Sequence, residues 1–283
     1  MTDTCHLRKA AYAMFFGLGA MTTPALAQTT LERILERGAA TVGTEAAFPP
    51  FEFVDESGEI VGYGKDILDV VIAELGVELN QLDVPWQGIL PGLLAGNFDF
   101  VATTVAINEE RAQRYAYTLP IANGQPHIMT RIGEAIESED DLAGMVVGTQ
   151  LASSVEPIAR ALDERLSAEG EGFAELKLYI AFTDTYLALA SGEIDAVIQS
   201  LPNLAVLVQE RPGLFEISAP VETSVEWTYM AWVTRPEDTD LRDFISGVIR
   251  DMRDDGRLYE LQDKWFGFRM EIPDEGYLPA SAY

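Results

Sequence analysis

The sequence is poor in cysteine and histidine. Its 283 residues include one cysteine, Cys5, and two histidines, His6 and His127. Cys5 and His6 fall within the first 27 residues, which we expect to be removed from the mature protein. We therefore expect a mature chain with no disulfide, no thiolate metal site, no cysteine nucleophile and no lipid anchor on cysteine.

The first 27 residues have the pattern of a cleaved export signal. The basic pair Arg8-Lys9 precedes a short apolar run, and Ala25-Leu26-Ala27 forms a small-residue cleavage pattern before Gln28. The apolar run is too short to span a bilayer. A buried N-terminal helix fits less well, because a new helix start follows directly. We expect a mature protein that begins near Gln28 and is soluble outside the cytoplasm, in the periplasm if the cell has two membranes.

Basic residues are also scarce. The chain has 19 Lys and Arg against 46 Asp and Glu, and without the export signal 17 and 45 remain, a formal charge of about −28. Such a charge repels nucleic acid and anionic lipid, so no polyanion partner is expected. The acids are spread along the chain, which favours a role in solubility over an acidic interaction tail.

Segments with the periods of strands and helices alternate along the chain, without low-complexity linkers. This order predicts an α/β protein whose 256 mature residues form one large domain or two of ordinary size. The predicted strands are 40–43, 79–84, 98–104, 146–149, 176–180 and 194–200, and the predicted helices are 63–74, 89–95, 154–166, 183–190, 240–254 and 258–265.

Two segments of the chain echo each other at an offset of 96 residues. LLAGNFDFVATT (93–104) and LASGEIDAVIQS (189–200) share Leu, Gly, Asp and Val at matching positions. Each reads as a helix end, a glycine suited to the left-handed position, and an apolar strand covered on both faces. The echo predicts two similar halves, although α/β chains also produce such matches by coincidence.

The ends of these two strands are candidate ligand contacts. In open α/β sheets, ligands bind outside the carboxyl ends of the strands. We therefore expect Thr103 and Thr104 in one half, and Gln199 and Ser200 in the other, to meet a ligand between them.

Three longer segments resemble the bacterial extracellular solute-binding proteins that supply polar amino acids to ABC importers. They are GTEAAFPPFEFVDESGEIVGYGKDI (43–67), WQGILPGLLAGNFDFVATTVAINEER (86–111) and LYELQDKWFG (258–267). The resemblance implies two lobes, each a mixed and mostly parallel sheet flanked by helices, which close on a ligand. The expected lobes are 28–120 plus 230–283, and 121–229, with hinge segments near 121–125 and 221–229.

The resemblance implies that Arg111 holds a ligand carboxylate in the first lobe. A guanidinium offers a planar pair of donors that matches a carboxylate and stays charged in a dry cleft. The alternative is a surface arginine paired with Glu109 or Glu110. In the second lobe, Ser153 and Ser154 stand where the family has a further carboxylate contact at a helix start, a place that favours anions. A plain capping role explains these serines equally well.

Phe48 and Trp86 occupy positions where the family sets aromatic walls around the ligand. Aromatic faces accept apolar stems and cations together, although core packing is the ordinary fate of both residues. Glu45 stands where family members often hold an acid toward a ligand nitrogen. A solvated loop acid is the alternative for Glu45.

Two departures from the family pattern bear on the ligand. Ser200 stands where amino-acid binders usually have the Asp that takes the α-ammonium, and Ala106 replaces a Ser or Thr that supports the carboxylate. A buried ammonium beside a neutral hydroxyl loses a charge-assisted partner. We therefore expect a carboxylate whose nitrogen is substituted, cyclic or absent, such as an opine or ectoine type of derivative.

Other classes of protein are less consistent with the sequence. The same fold hosts periplasmic dehydratases of prephenate-like acids, and Glu45 is a possible proton donor, but no paired general acid and base is evident. A third class is a sensory protein that presents its closed form to a receptor, and the sequence does not distinguish this class from transport. His127 lies beside a predicted hinge, where a structural role is expected. Neither a metal motif nor a phosphate loop is present in the sequence, so no metal and no cofactor are expected. The expected partners are a small-molecule ligand and ABC permease subunits, with the protein itself a monomer.

Overall fold

The computed structural model describes residues 28–134, 136–222 and 229–282. The predicted export signal and most of the second predicted hinge segment, residues 223–228, lie outside the described residues.

Strands and helices alternate through the described part of the chain. The strands are β1 (Ala39–Thr44), β2 (Ala47–Phe48), β3 (Glu52–Val54), β4 (Ile60–Val61), β5 (Glu78–Asp83), β6 (Phe100–Ala106), β7 (Ala116–Asn123), β8 (Pro126–Arg131), β9 (Val146–Gln150), β10 (Glu175–Tyr179), β11 (Ala196–Ser200), β12 (Phe215–Pro220) and β13 (Tyr229–Thr234). The helices are α1 (Thr30–Arg37), α2 (Tyr63–Leu75), α3 (Trp86–Leu94), α4 (Glu109–Ala112), α5 (Val155–Glu169), α6 (Phe182–Ser191), α7 (Leu201–Glu210), α8 (Thr239–Asp254) and α9 (Arg257–Phe266), with a 3₁₀ helix at Glu139–Leu142. Every predicted strand and helix is present, with its ends displaced by at most three residues.

Two five-stranded sheets share one topology. The first has the order β5-β1-β6-β13-β7 and the second the order β10-β9-β11-β8-β12. In each sheet the first three strands are parallel, and the fourth runs antiparallel to both of its neighbours. The predicted class, α/β with mixed and mostly parallel sheets flanked by helices, is confirmed.

The antiparallel strands were not found from the sequence. β7 and β13 are buried along nearly their whole length, so they lack the alternation of a half-exposed strand. The small sheet β2-β3-β4 was also missed, because its strands have only two or three residues. β7 and β8 are separated by Gly124 and Gln125 alone, so the chain passes from the first sheet to the second within the segment predicted as the first hinge.

The echoed segments occupy equivalent places in the two sheets, at β6 and β11. Gly96 and Gly192 end the preceding helices with φ of 76° and 77°, the left-handed conformation that favours glycine. Asp99 accepts the backbone N–H of Thr41 at 2.7 Å, and Asp195 accepts that of Val146 at 2.9 Å. Each aspartate therefore ties the start of its strand to the adjacent parallel strand, so the echo is structural and not coincidental.

The core lies between the sheets and their helices. Large side chains with less than 2% exposure include Trp232 of β13 and Phe100 of β6, together with Tyr63 and Ile67 of α2. Within the described part of the chain, no helix is both long enough and apolar enough to cross a membrane.

Candidate ligand-binding site

A cavity of about 450 Å³ lies between residues of the two sheets, next to Gly124 of the first predicted hinge segment. Its volume falls in the range of about 300–1,000 Å³ typical of small-molecule sites. Of the predicted ligand contacts, those that line it are Glu45, Phe48, Trp86, Thr104, Arg111, Ser153, Ser154 and Ser200. Gln199 lines it too, whereas Thr103 does not.

Arg111 lies on the short helix α4. Asn108 caps this helix, because its Oδ1 accepts the N–H of Arg111 at 2.8 Å. The guanidinium donates through Nη1 to the carbonyl of Ala106 at 3.3 Å and through Nη2 to the carbonyl of Ala152 at 3.2 Å. It also lies 5.1 Å from the centre of the Trp86 ring, within reach of a cation–π contact. These contacts fix the plane of the guanidinium at the cavity wall.

The charge of Arg111 has no carboxylate partner within ion-pair distance among the described residues. The alternative of a pair with Glu109 or Glu110 is therefore not what the structure shows. Burial lowers the pKa of Arg111, but a guanidinium remains protonated in proteins. Of its five N–H groups, two are used by carbonyls, which leaves donors for a ligand anion.

Ser153 and Ser154 stand at the start of α5. The Oγ of Ser153 accepts the N–H groups of Val155 and Glu156, each at 3.3 Å, so Ser153 does cap the helix. Ser154 makes no side-chain capping bond and lines the cavity. Ser153 thus caps the helix, and both serines lie in the cavity wall.

Ala152 joins the two halves of the site. It has a φ of 61°, and it is the one residue other than glycine with positive φ in the described ranges. Its carbonyl accepts from Trp86 Nε1 at 2.8 Å as well as from Arg111. A residue held in this sparsely populated conformation is a feature that clusters at functional sites.

The aromatic residues both line the cavity and pack. Phe48 lies between Phe51, at 5.5 Å between ring centres, and Phe182, at 5.7 Å. Phe182 belongs to α6 and Phe48 to β2, so this contact also joins the two halves of the protein. The two alternatives considered for Phe48, core packing and cavity wall, describe two sides of the same ring.

Glu45 is a buried acid in the cavity wall, with 4% of its surface exposed. Its Oε1 accepts from the amide of Gln150, which lies on β9 of the second sheet, at 2.5 Å. The pKa of Glu45 is raised to about 7, mainly by burial. The charge of Asp83 also raises it, and the Gln150 bond lowers it in part. Glu45 is thus not the solvated loop acid considered as its alternative.

A second buried acid, Glu52, was missed by the sequence reasoning. It is fully buried on β3, and its two oxygens accept from the hydroxyls of Thr103 and Thr104, each at 3.2 Å. Burial raises its pKa to about 8 despite these bonds, and the nearby charge of Glu45 contributes. Thr103 therefore supports Glu52 from behind the cavity. An acid within the apolar run PPFEF was the available signal.

Ser200 is part of a polar link between the halves. Its hydroxyl bonds to Oδ1 of Asn203, which accepts, so the single hydroxyl hydrogen is used within the protein. The Nδ2 of Asn203 then donates to the carbonyl of Pro49 at 2.6 Å. Ser200 therefore presents an acceptor oxygen, without charge, to the cavity.

Two other polar residues escaped prediction. Gln87 of α3 donates its amide to the carbonyls of Leu151, at 3.1 Å, and Ile180, at 3.2 Å. Gln150 ends β9, so the strand-end argument applied to β6 and β11 would have found it. Gln87 had no such signal, because its partners are distant in the sequence.

His127 of β8 makes a local contact, with Nδ1 3.2 Å from the carbonyl oxygen of Gln125. It does not line the cavity. Across the described residues, no three His, Cys, Asp or Glu side chains converge as a metal site would require.

The family model of the bacterial extracellular solute-binding proteins, family 3, matches residues 40–268. The chain belongs to this family. The match covers both sheets except Ala39, the first residue of β1, and every residue placed above in the cavity wall. The predicted family is therefore confirmed.

Relatives of this family 3 protein bind amino acids. The L-cystine-binding protein TcyJ of Escherichia coli (strain K12) is 27% identical over 239 residues, which cover 84% of this chain and 86% of TcyJ. A solved variant of the arginine-binding protein ArgBP from T. maritima is 32% identical, with a TM-score of 0.73, over 84% of this chain and 100% of its own.

A third similar structure bears on the dehydratase alternative. It is the ancestral amino acid-binding protein AncCDT-1, described as a precursor of cyclohexadienyl dehydratase, at 25% identity and a TM-score of 0.74 over 84% of this chain and 100% of its own. It is named as a binding protein. The relatives therefore favour solute binding for an ABC importer over catalysis.

Proposed function

We propose that this family 3 protein is the periplasmic binding component of an ABC importer and captures an amino-acid-derived carboxylate in the cavity between its two sheets. The observation that carries the proposal is the Arg111 guanidinium, fixed in the cavity wall without a carboxylate partner among the described residues. The guanidinium has two parallel N–H donors, which match the two oxygens of a carboxylate ligand.

The two sheets support the proposed lobes, 28–120 plus 230–283, and 121–229. The first sheet uses strands from both ends of the chain, because β13 returns to lie between β6 and β7. Side-chain hydrogen bonds join the part of the chain around the first sheet to the part around the second, and they come from Trp86, Gln87 and Gln150. We propose that ligand closes the lobes and that these bonds belong to the closed form.

The ligand is proposed to carry a nitrogen away from the usual α-ammonium position. Ser200 offers an uncharged acceptor where the family usually has Asp, and Ala106 offers a methyl group where a hydroxyl is usual. Glu139 and Glu222 line the cavity near Arg165, and the acid that lies with Phe48 and Trp86 along the wall is Glu45. A longer, cyclic or N-substituted zwitterion of the opine or ectoine kind fits this arrangement.

We propose that the ligand is bound without chemical change. Glu45 is a buried acid, but its hydrogen-bond partner is an amide, and the second buried carboxyl, Glu52, is held behind the wall by two threonines. The dehydratase-like alternative predicts conversion of a bound acid that Glu45→Gln abolishes. Prolonged incubation with ligand followed by mass spectrometry separates the two.

Export, partners and oligomeric state belong to the same proposal. We propose a cleaved signal at residues 1–27, a periplasmic location, delivery to inner-membrane permease subunits, and a monomer. A sensory protein that presents its closed form to a receptor needs the same cleft. Neighbouring permease genes, or transport lost on deletion, would distinguish import from sensing.

The ligand proposal is tested by a thermal-shift screen of the twenty amino acids beside opines, ectoines, betaines and keto acids. At about 100 times Kd, a ligand that binds only the native state adds about 2.7 kcal/mol of stability. We expect the large shifts among the derivatives. A large shift with one ordinary amino acid, and none with the derivatives, would contradict the ligand class while leaving the family assignment intact.

A further inference from the structure

One face of α5 extends the cavity beyond the predicted ligand contacts. Ser154 at the start of the helix lines the cavity, and so do Ile158, Ala161 and Arg165 farther along it. Their spacing of three and four residues places them on a single face. Eleven residues separate Ser154 from Arg165, which corresponds to about 16 Å of helix at about 1.5 Å per residue. The site is therefore elongated along α5.

The walls of this extension are mainly apolar. Val155, Pro157 and Leu162 complete the helix side. Pro126, Val221 and Met230 contribute from the strands and segments that pass between the two sheets. Ile158 is half-buried, and Pro157 and Ala161 are exposed, so this apolar surface is available to an occupant.

The far end of the extension is polar and has more acidic than basic groups. Arg165 pairs with Glu139 at 2.8 Å, with Asp140 at 2.7 Å and with Glu169 at 3.1 Å. The other oxygen of Glu139 accepts the N–H of Glu222 at 2.8 Å. Three carboxylates surround this one guanidinium, so an anionic group carried into this end finds no unpaired cation there.

We infer that the extension along α5 is a subsite for a mainly apolar arm, without negative charge, of a ligand that has its carboxylate on Arg111. This inference rests on the proposed function and adds the size and chemical class of the ligand. Both subsites belong to one continuous cavity, and Ser154 lies where they join. A compact amino acid at Arg111 leaves the apolar face of α5 uncovered, whereas an alkyl, acyl or aromatic arm covers it.

The inference is tested with a series of N-alkyl glycines and N-alkyl alanines, which keep a cationic nitrogen and whose alkyl chains have two to eight carbons. Burial of each added methylene strengthens binding by about fourfold, the equivalent of about 0.8 kcal/mol. We expect Kd, measured by calorimetry, to fall with chain length until the chain reaches the Arg165 end. A Kd that does not change with length would overturn the inference.

A blocking variant makes the test specific to α5. Ala161→Trp fills the extension, so it should weaken the longest N-alkyl ligands at least tenfold and leave the two-carbon ligands within twofold of wild type. Glu164→Trp is the matched control, because Glu164 is exposed on the same helix and does not line the cavity. Equal losses for short and long ligands in Ala161→Trp, or equal losses in both variants, would overturn the inference.

Failure of the subsite is distinguishable from failure of the proposed function. If Arg111→Ala abolishes binding of a short ligand found in the screen while no long N-alkyl ligand binds, the subsite is refuted and the carboxylate site stands. If Arg111→Ala leaves every ligand's Kd unchanged, the proposed function itself is refuted, and the subsite with it.

Discussion

Glu45 and Glu52 are two buried carboxyls on one side of the cavity that take part in no ion pair within the described residues. Removal from water penalises the ionised form more than the available hydrogen bonds favour it. The pKa of Glu45 is raised to about 7 and that of Glu52 to about 8. The acidic side of the ligand site is therefore sensitive to pH in the physiological range.

These pKa values predict how Glu52 affects stability. A carboxyl with a raised folded-state pKa holds its proton longer in the folded protein than in the unfolded chain. Its stabilising contribution is complete below pH about 4.5 and is lost as pH rises to about 8, with a slope of up to about 1.4 kcal/mol per pH unit. Glu52→Gln imitates the protonated form, so the variant should match wild type at pH 5 and exceed it by a few kcal/mol, roughly, at pH 9.

Urea unfolding of both proteins at pH 5, 7 and 9 checks this expectation. The double variant Thr103→Val with Glu52→Gln is a control for the hydroxyl bond, because it also removes the Thr103 hydroxyl that donates to the side chain at position 52. A variant that is less stable than wild type by the same amount at every pH would show that Glu52 is ionised when buried.

At the scale of elements, the turns that precede β6 and β11 fix both strands in the same way. Gly96 and Gly192 have positive φ, and a Cβ at either position would meet open space. An alanine there is strained by its backbone and not by a collision, at a cost of about 1–2 kcal/mol. We expect Gly96→Ala and Gly192→Ala each to lower the free energy of unfolding by about that amount.

Gly247 is the matched control for these turns. It lies inside α8, where its φ is not positive and a Cβ would also meet open space. Alanine in a helix interior is more favourable than glycine by about 1 kcal/mol, so Gly247→Ala should stabilise the protein. Chemical denaturation of the three variants measures the contrast. Destabilisation by Gly247→Ala, or no effect of the other two, would contradict the equivalence of the turns.

At the scale of the whole molecule, the sequence predicts elements and local signals well. Gly96, Gly192 and the capped helix of Arg111 depend on neighbours in the chain, so a local pattern reveals them. Glu45, Trp86 and the two serines at the start of α5 line one cavity. The resemblance to the family predicted this, whereas no pattern in the composition did.

What the sequence could not predict depends on distant contacts. Glu52 is significant because β3 brings it to Thr103 and Thr104, about fifty residues away. Asn203 and Gln87 bond to backbone carbonyls of the opposite half, which no side-chain pattern marks. β13 was missed because a central strand buried on both faces has no alternation, and its partners are β6 and β7, far earlier in the chain.

The whole arrangement depends on a ligand carboxylate held by Arg111 between the two sheets, and calorimetric titration of Arg111→Ala tests this most directly. The titrant is the ligand with the largest shift in the screen, and Arg114→Ala is the control, because Arg114 is exposed nearby and does not line the cavity. Loss of a buried charge partner costs about 2–5 kcal/mol, so Kd should rise by roughly 30-fold to several thousand-fold in Arg111→Ala and stay within twofold of wild type in Arg114→Ala. A folded Arg111→Ala variant with unchanged Kd would contradict the account.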